Sequence, residues 1–450
     1  MTIILNTSEL FLHQGSGIKS FTQSLLKAAQ RSVPIDLLLE SKRKEGDSAL
    51  AHTNIFNVHP ASAGMAELVN RKIKQSFRHY IPRKSAYKAA RISKHDPLHS
   101  LALSRVPHDP TLQTLDSVGF RSSINLYGNS QFEHARTGKC SEVSFPDLKA
   151  GKRTDCLFHN PLPFPLVAVD VPMIVTVHDL IPLSHSDLCL DDPGRFYELL
   201  RELTDKAAAV HAISRTTGDL LISVFGDRIR SKLKVIQQSL VMPACSQEDE
   251  EELVKAKLTI FDNFQRNPEG HSLLQLGTLE PKKNHATTLE IHRSLRQRFP
   301  GLKLLLIGKA GWLCEDLLDS LSSRSGDGIE WLRSAPRFTV RWHLNNSLAI
   351  VFPSLVEGWG LPPLEAMAAG TPAVCSDIPA CQEACGEGAA GMASPNDVEG
   401  FCRLLTELLT DRERYAAAVR AGLRQARLYS EERFRNELLE LYGSLGAGGH

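Results

Sequence analysis

The sequence predicts an α/β protein of two doubly wound domains, each a parallel sheet covered by helices on both faces. Three observations predict it. Short continuous apolar runs, the mark of strands buried on both faces, alternate with helical patterns in both halves of the chain. Glycine-bearing loops follow several of these strands, on the sheet edge where open α/β proteins bind ligands. Between them, around residues 242–270, the pattern breaks: the chain is acidic at Glu248 to Glu252 and polar from Asn263 to Gly270, which marks the connection between domains.

The whole chain fits that picture. Its 450 residues suffice for two or three domains with real cores. A net charge of +1 provides no global field toward nucleic acid. No apolar run reaches the ~18 residues of a spanning helix, and the first residues lack a signal-peptide pattern. The nine cysteines are odd in number and scattered, with no Cys-x-x-Cys pair or nearby histidine to complete a metal set. Reduced thiols and a cytoplasmic location follow as the expectation.

Residues 1–245 read as the first domain. A strand at Thr2 to Leu5 runs into a loop with Gly15 and Gly17, then a helical pattern through Ile18, Phe21, Leu25, Leu26 and Ala29. The Gly-x-Gly spacing falls short of a dinucleotide fingerprint, and by itself a tight turn is the simpler reading. An insertion over about 65–110 carries a basic segment, 71–105, with ten lysines and arginines against the single acid Asp96. Interleaved Ile73, Phe77, Tyr80, Tyr87 and Ile92 make it amphipathic, suited to peripheral contact with an anionic membrane at roughly 1 kcal/mol per basic residue. A solvated insertion is the plainer alternative. No nucleic-acid motif accompanies the segment. Strands follow at C-L-F-H-N, M-I-V-T-V, A-V-H-A and L-K-V-I, with His178 and Asp179 just past the second of them. Ser214 reads as the N-cap of the next helix.

After a linker at 246–270, residues 271–425 form the second domain, and 426–450 form a terminal helix expected to pack back on the first. Strand L-L-Q-L-G leads into the loop T-L-E-P-K-K-N-H, which sets Lys282 and Lys283 at a carboxyl-end edge. L-K-L-L-L-I-G and I-E-W-L are further strands. The most informative stretch runs from Leu348 to Ala373. Leu348 to Phe352 is a buried strand that Pro353 ends; Gly358 and Gly360 allow a sharp turn; Pro362 and Pro363 suit a first helical turn; Gly370-Thr371-Pro372 closes the helix. Glu357 and Glu365 flank a helix N-terminus able to seat a phosphate. That pattern suits a phosphorylated sugar or nucleotide, and equally a helix cap with a solvated carboxylate on the next face.

These residues resemble the retaining glycosyltransferases of family 4. The resemblance rests on V-H-D-L, L-G-T-L-E-P-K-K-N-H and F-P-S-L-V-E-G-W-G-L-P-P-L-E-A-M-A-A-G-T-P. It covers nearly all of the C-terminal half and thins toward the N-terminus. The Glu357–Glu365 spacing with the glycines and prolines between is its most specific feature, and G-T-L-E-P is similar to mannosyl- and related transferases of bacterial polysaccharide synthesis. The resemblance implies the GT-B fold, two facing Rossmann-like domains around a cleft.

It also implies roles. His178, Lys283 and Glu357 would be catalytic: His178 near the sugar and β-phosphate, Lys283 neutralising the diphosphate, Glu357 accepting from sugar hydroxyls. Gly17, Lys282, Leu332, Gly358, Trp359, Gly360, Leu361 and Glu365 would bind the donor. Gly17 would approach the phosphates, the amides of 358–361 would hold sugar and diphosphate, Glu365 would take the ribose hydroxyls, and Leu332 with Arg333 would border the base. The implied reaction is retaining hexosyl transfer, mannosyl above all, from a nucleoside diphosphate sugar (GDP-mannose favoured) to a glycan or lipid-linked acceptor. It needs no metal and no cofactor beyond that co-substrate. Three departures stand out: Thr278 where many relatives carry arginine, Trp359 in place of phenylalanine, and Lys19 in a first loop that is often Gly-Ile-Gly-Arg. Two alternatives share the architecture, a sugar-nucleotide epimerase and a catalytically silent nucleotide-sugar-binding partner.

Overall fold

In the computed structural model the described residues are 2–6, 33–41, 118–124, 156–323 and 327–446, with shorter pieces within 21–28, 86–91 and 130–148. Gly17 and almost all of the basic segment 71–105 lie outside them. The first half contributes β1 (Thr2–Asn6), β2 (Ile35–Ser41), β3 (Ala86–Lys88), β4 (Ala90–Arg91), β5 (Val118–Ile124), β6 (Ser141–Ser144), β7 (Cys156–Asn160), β8 (Leu166–Ala168), β9 (Met173–Val177), β10 (Ala209–Ala212) and β11 (Leu233–Val235). The second contributes β12 (Ser272–Leu276), β13 (Lys303–Ile307), β14 (Ile329–Leu332), β15 (Ala349–Phe352), β16 (Ala373–Ser376) and β17 (Gly391–Ala393).

The strand order explains where a ligand can sit. The second sheet runs β14-β13-β12-β15-β16-β17, parallel throughout. Its order reverses between β12 and β15, so the loops after those two strands diverge and leave a crevice. The first sheet runs β4-β5-β2-β1-β7-β9-β10-β11, and only the short edge strand β4 is antiparallel. There the reversal falls between β1 and β7, where Asn6 Nδ2 donates to Asn160 Oδ1 at 2.7 Å. A small sheet, β3-β6-β8, flanks the first domain. Within the basic segment, the described residues form β3 and β4.

The segment 246–270, read as the linker, contains a 17-residue helix, Glu250–Arg266. Val254, Phe261 and Phe264 on it are buried in the core of the second domain. Two further helices, Val398–Thr410 and Arg412–Arg427, cover the same sheet. The last helix, Glu431–Gly446, crosses back and buries Phe434, Leu438, Leu441 and Tyr442. Its Phe434 ring lies 6.0 Å from Phe21 of the first domain. No helix among the described residues is long and apolar enough to cross a membrane.

A buried polar chain fixes this crossing. His211 Nε2 lies 2.8 Å from the Ile236 carbonyl, which can only accept, so that nitrogen carries the proton. His211 Nδ1 then accepts from Thr176 Oγ1 at 3.1 Å, Thr176 accepts from His159 Nε2 at 2.8 Å, and His159 Nδ1 accepts from the Tyr442 hydroxyl at 2.8 Å. Each link dictates the next, and both rings are neutral. Burial holds His211 down at about 4 and His159 well below the ordinary value. A histidine with a depressed folded pKa contributes stability above its unfolded value and loses it as pH falls through the folded one. For His211 that window runs from 6.5 down to about 4. His211→Gln is expected to be less stable at pH 7 but to show a flatter stability profile between pH 6.5 and 4.5. Urea unfolding at several pH values checks this; parallel profiles contradict it.

Candidate active site

Two loops at the switch point of the second sheet build the site. After β12 the chain passes through a tight turn at Pro281–Lys283, and Asn284 takes a left-handed conformation, φ 54°. Asn284 Nδ2 donates to the carbonyls of Pro353 at 3.0 Å and Pro395 at 2.9 Å. Gln275 Nε2 donates to the Lys283 carbonyl at 2.8 Å, and the Leu355 amide to that of Lys282 at 2.8 Å. The lysine loop and the glutamate loop are therefore fastened to each other through backbone atoms. That fixes the side chains: Lys283 Nζ lies 2.5 Å from Glu357 Oε1 and 5.3 Å from the centre of the Phe352 ring. Both members of the ion pair are only about a tenth exposed (11% and 10%), so their attraction is little screened by solvent.

Lys282 Nζ lies 3.5 Å from Glu280 Oε1. Burial opposes its charge, but the carboxylates of Glu280, Glu357 and Asp179 outweigh burial and move its pKa upward. Lys282 is held cationic beside Lys283, while Thr278 brings no charge. Glu280 itself is raised by burial, against the pull of the two lysines.

After β15, residues 357–360 turn into the helix Leu361–Ala368. Gly360 has φ +116°, a conformation that L side chains rarely adopt, so the turn requires glycine there. Pro362 and Pro363 preset the first helical turn but offer no N–H. The amides of Gly358, Trp359, Gly360 and Leu361 donate to no acceptor among the described residues. Four consecutive donors thus sit beside two cationic lysines, an arrangement that seats an anion. The Trp359 ring itself packs away from the cleft, buried edge-on against Tyr429 at 5.1 Å. Glu365 sits one turn into the helix, where burial raises its carboxyl to about 7 against the opposing pull of Arg337.

The first domain meets this loop directly. His178 Nε2 lies 2.7 Å from the Pro161 carbonyl, so it carries the proton and Nδ1 is left as an acceptor. Burial lowers the pKa of the ring, which keeps it neutral. Phe21 packs edge-on against it at 4.9 Å. The next residue, Asp179, accepts from the Ile181 amide at 3.0 Å and turns the chain. Ser214 Oγ donates to the Gly358 carbonyl at 2.7 Å and Thr217 Oγ1 to the His178 carbonyl at 3.0 Å. Gly358 therefore lies against His178 across the interdomain cleft.

The structure thus brings His178, Lys282, Lys283, Glu357 and the amides of 358–361 together, with Glu365 just behind. Leu332 stands at the end of β14, two strands from the switch point, and its carbonyl accepts from the Gly308 amide at 3.0 Å. Arg333 folds over the Trp331 ring at 4.6 Å. Sequence reasoning assigned no role to Glu280, although it lies within the lysine loop, or to Thr217. The signal for Thr217 was its place one turn after an N-cap serine.

Residues 257–425 match the family model described as glycosyl transferases group 1. The chain is 29% identical over 301 residues to the O-antigen chain mannosyltransferase B of Escherichia coli, covering 64% of this chain and 74% of that one. It is 30% identical over 282 residues to the serotype-specific mannosyltransferase WbdA of the same organism, which spans 58% of this chain but about a third (32%) of the relative. Among solved structures, sucrose-phosphate synthase from Thermosynechococcus elongatus superposes over 100% of both chains with a TM-score of 0.60 at 15% identity. The Anabaena protein Alr3699/HepE, solved in complex with UDP and glucose, covers 99% of this chain and 100% of its own with a TM-score of 0.56 at 14% identity. Those two likenesses establish the fold.

Proposed function

From a chain whose residues 257–425 belong to the group 1 glycosyl transferases and which is a glycosyltransferase of GT-B architecture, we propose retaining, metal-independent transfer of a hexosyl group from a nucleoside diphosphate sugar. Mannose is the favoured sugar and GDP-mannose the favoured donor, supported by the O-antigen chain and serotype-specific mannosyltransferases among the relatives. The acceptor is a hydroxyl of a glycan or lipid-linked glycan in polysaccharide synthesis. The nine free cysteines suit a cytoplasmic setting. Peripheral contact with an anionic membrane through 71–105 would bring the enzyme to a lipid-linked acceptor.

The observation that carries the reading is the set of four amides, bonded to no acceptor among the described residues, beside the Lys283–Glu357 pair. As the bond from sugar C1 to the diphosphate breaks, its electrons and negative charge pass to the diphosphate. Lys283, Lys282 and the amides of 358–361 stabilise that charge as it forms, which is the work a divalent cation would otherwise do. The acceptor oxygen bonds to C1 on the face the diphosphate leaves, and a diphosphate oxygen takes its proton, so no protein nucleophile is needed. Glu357 accepts from sugar hydroxyls and, with Lys283 drawn to the phosphates, is released to do so. Neutral His178 offers Nδ1 to another sugar hydroxyl.

Glu365 gives this reading a pH signature. Ribose hydroxyls donate, so the carboxylate must be ionised to accept from both. With its pKa raised to about 7 by burial, donor affinity is expected to fall as pH drops below 7, by up to about tenfold per unit. Thermal-shift titrations with GDP-, UDP-, ADP- and dTDP-sugars between pH 6 and 8.5 test it. The expected result is a stabilising shift with GDP-mannose that shrinks below pH 7, and whose pH dependence is lost in Glu365→Gln. Equal stabilisation at every pH contradicts the assignment of Glu365, and no shift with any of the four contradicts donor binding.

A further inference from the structure

We propose that Glu383 is a clasp between the two domains that positions the donor loop against His178. Glu383 belongs to the second domain, on the helix Pro379–Cys385. Its carboxylate nevertheless caps a helix of the first domain, Arg215–Phe225. Oε1 accepts from the Arg215 amide at 2.7 Å, and Oε2 from the Thr216 amide at 3.0 Å and the Thr216 hydroxyl at 3.1 Å. Gln237 Nε2, also of the first domain, donates to Oε1 at 2.7 Å. The helix already has its own cap, since Ser214 Oγ accepts from the Thr217 amide at 3.0 Å. Glu383 therefore takes the two first-turn amides that Ser214 leaves over, and it takes them from across the cleft.

That same first turn holds the site together. Ser214 and Thr217 bind the carbonyls of Gly358 and His178, so a carboxylate fixing Arg215 and Thr216 fixes the residues on either side of them. Glu383 is itself anchored from behind. Its carbonyl accepts from the Tyr429 hydroxyl at 3.1 Å, and that of Ala384 from Gln425 Nε2 at 2.8 Å. Arg433, on the helix that crosses between domains, donates to Gln237 Oε1 at 3.2 Å and to its carbonyl at 3.1 Å. The clasp thus joins three parts: the returning helix, the second domain behind the donor loop, and the first turn that carries the His178 contact. A charged acceptor facing four donors is stronger than neutral hydrogen bonds of the same number. Among the described residues, the Glu383 carboxylate bonds to none of those assigned to the donor, and its role is positioning.

Hydrogen–deuterium exchange of the full chain, without substrate, tests this for wild type, Glu383→Ala and Glu383→Gln. In Glu383→Ala, peptides covering 215–217, 356–360 and 178–181 are expected to exchange at least tenfold faster, while strands β12, β13 and β15 keep their protection. Small-angle scattering should show a larger radius of gyration. Glu383→Gln keeps one acceptor oxygen and the side-chain volume, and should fall between the two. Faster exchange confined to 215–217, with 356–360 and 178–181 at wild-type rates, would make Glu383 a local cap and overturn the clasp. The readout requires no donor, so it stands or falls separately from the assignment of the sugar nucleotide.

Discussion

Lys283→Ala is expected to lower turnover by about a hundred- to a thousandfold while leaving the fold intact. That is the usual scale for removing one preorganised stabiliser of charge that develops in a transition state. The side chain reaches the cleft from a turn whose shape is held by backbone bonds, Gln275 to the Lys283 carbonyl and Leu355 to the Lys282 carbonyl. Truncation therefore removes the ammonium without collapsing the loop. Glu357 loses its 2.5 Å partner but keeps the field of Lys282, which limits the cost of an unpaired carboxylate. Lys282→Ala, which leaves the Lys283 ammonium in place, should have a smaller effect. Steady-state rates with GDP-mannose and circular dichroism of the purified variant check the pair of claims. A Lys283→Ala enzyme with wild-type turnover contradicts the mechanism.

The second large effect belongs to a residue with no side chain. A Cβ added to Gly358 would lie 2.3 Å from the His178 carbonyl oxygen and 3.0 Å from Asp179 Cβ. Both neighbours belong to the other domain, and the first is backbone, so no rotamer change relieves the clash. Gly358→Ala is expected to hold the domains apart at this point by about an ångström. Misplacement on that scale commonly costs on the order of a hundredfold in rate. Gly358 is only half-buried, at the edge of the cleft, so the melting temperature should change little. An unchanged turnover would show that the cleft tolerates opening. Scattering data separate the two explanations of a slow variant, since a purely local defect would leave the radius of gyration unchanged.

Much of this was legible in the sequence, and the reasons for the rest are physical. Strands such as Met173–Val177 and Ala349–Phe352 are buried along their length and read as continuous apolar or small runs. The loop from Glu357 to Glu365 was legible because prolines, glycines and carboxylates each have a backbone or charge reason to stand where they do. The helix Glu250–Arg266 was not, since its acidic start and its lysines imitate a solvated linker. Yet Lys257 is buried, donating to the Leu344 and Asn345 carbonyls and to Thr371. Burial pulls its pKa down to about 7. Composition cannot distinguish a buried lysine that bonds carbonyls from an exposed one.

Strand order was equally invisible. Nothing local to Gln275 or Pro353 states that β12 and β15 are neighbours, yet that adjacency makes the crevice. Contacts between domains were the largest omission. Glu383, the Gly358–His178 approach and the Tyr442–His159–Thr176–His211 chain join residues far apart in sequence, and each looks unremarkable in its own segment. His178 was found because it follows a strand. That its proton sits on Nε2, leaving Nδ1 to accept, needed the Pro161 carbonyl.

In the proposed reaction a fixed cluster of lysines and amides drives departure of the diphosphate, with the acceptor entering on the same face. Proton NMR of the first-formed product tests it most directly, using GDP-mannose, a mannose-terminated acceptor and enzyme held in excess EDTA. Transfer is expected at an undiminished rate, giving a product whose new anomeric centre has the α configuration of the donor. A β-linked first product, or a rate restored only by added divalent cation, would contradict it.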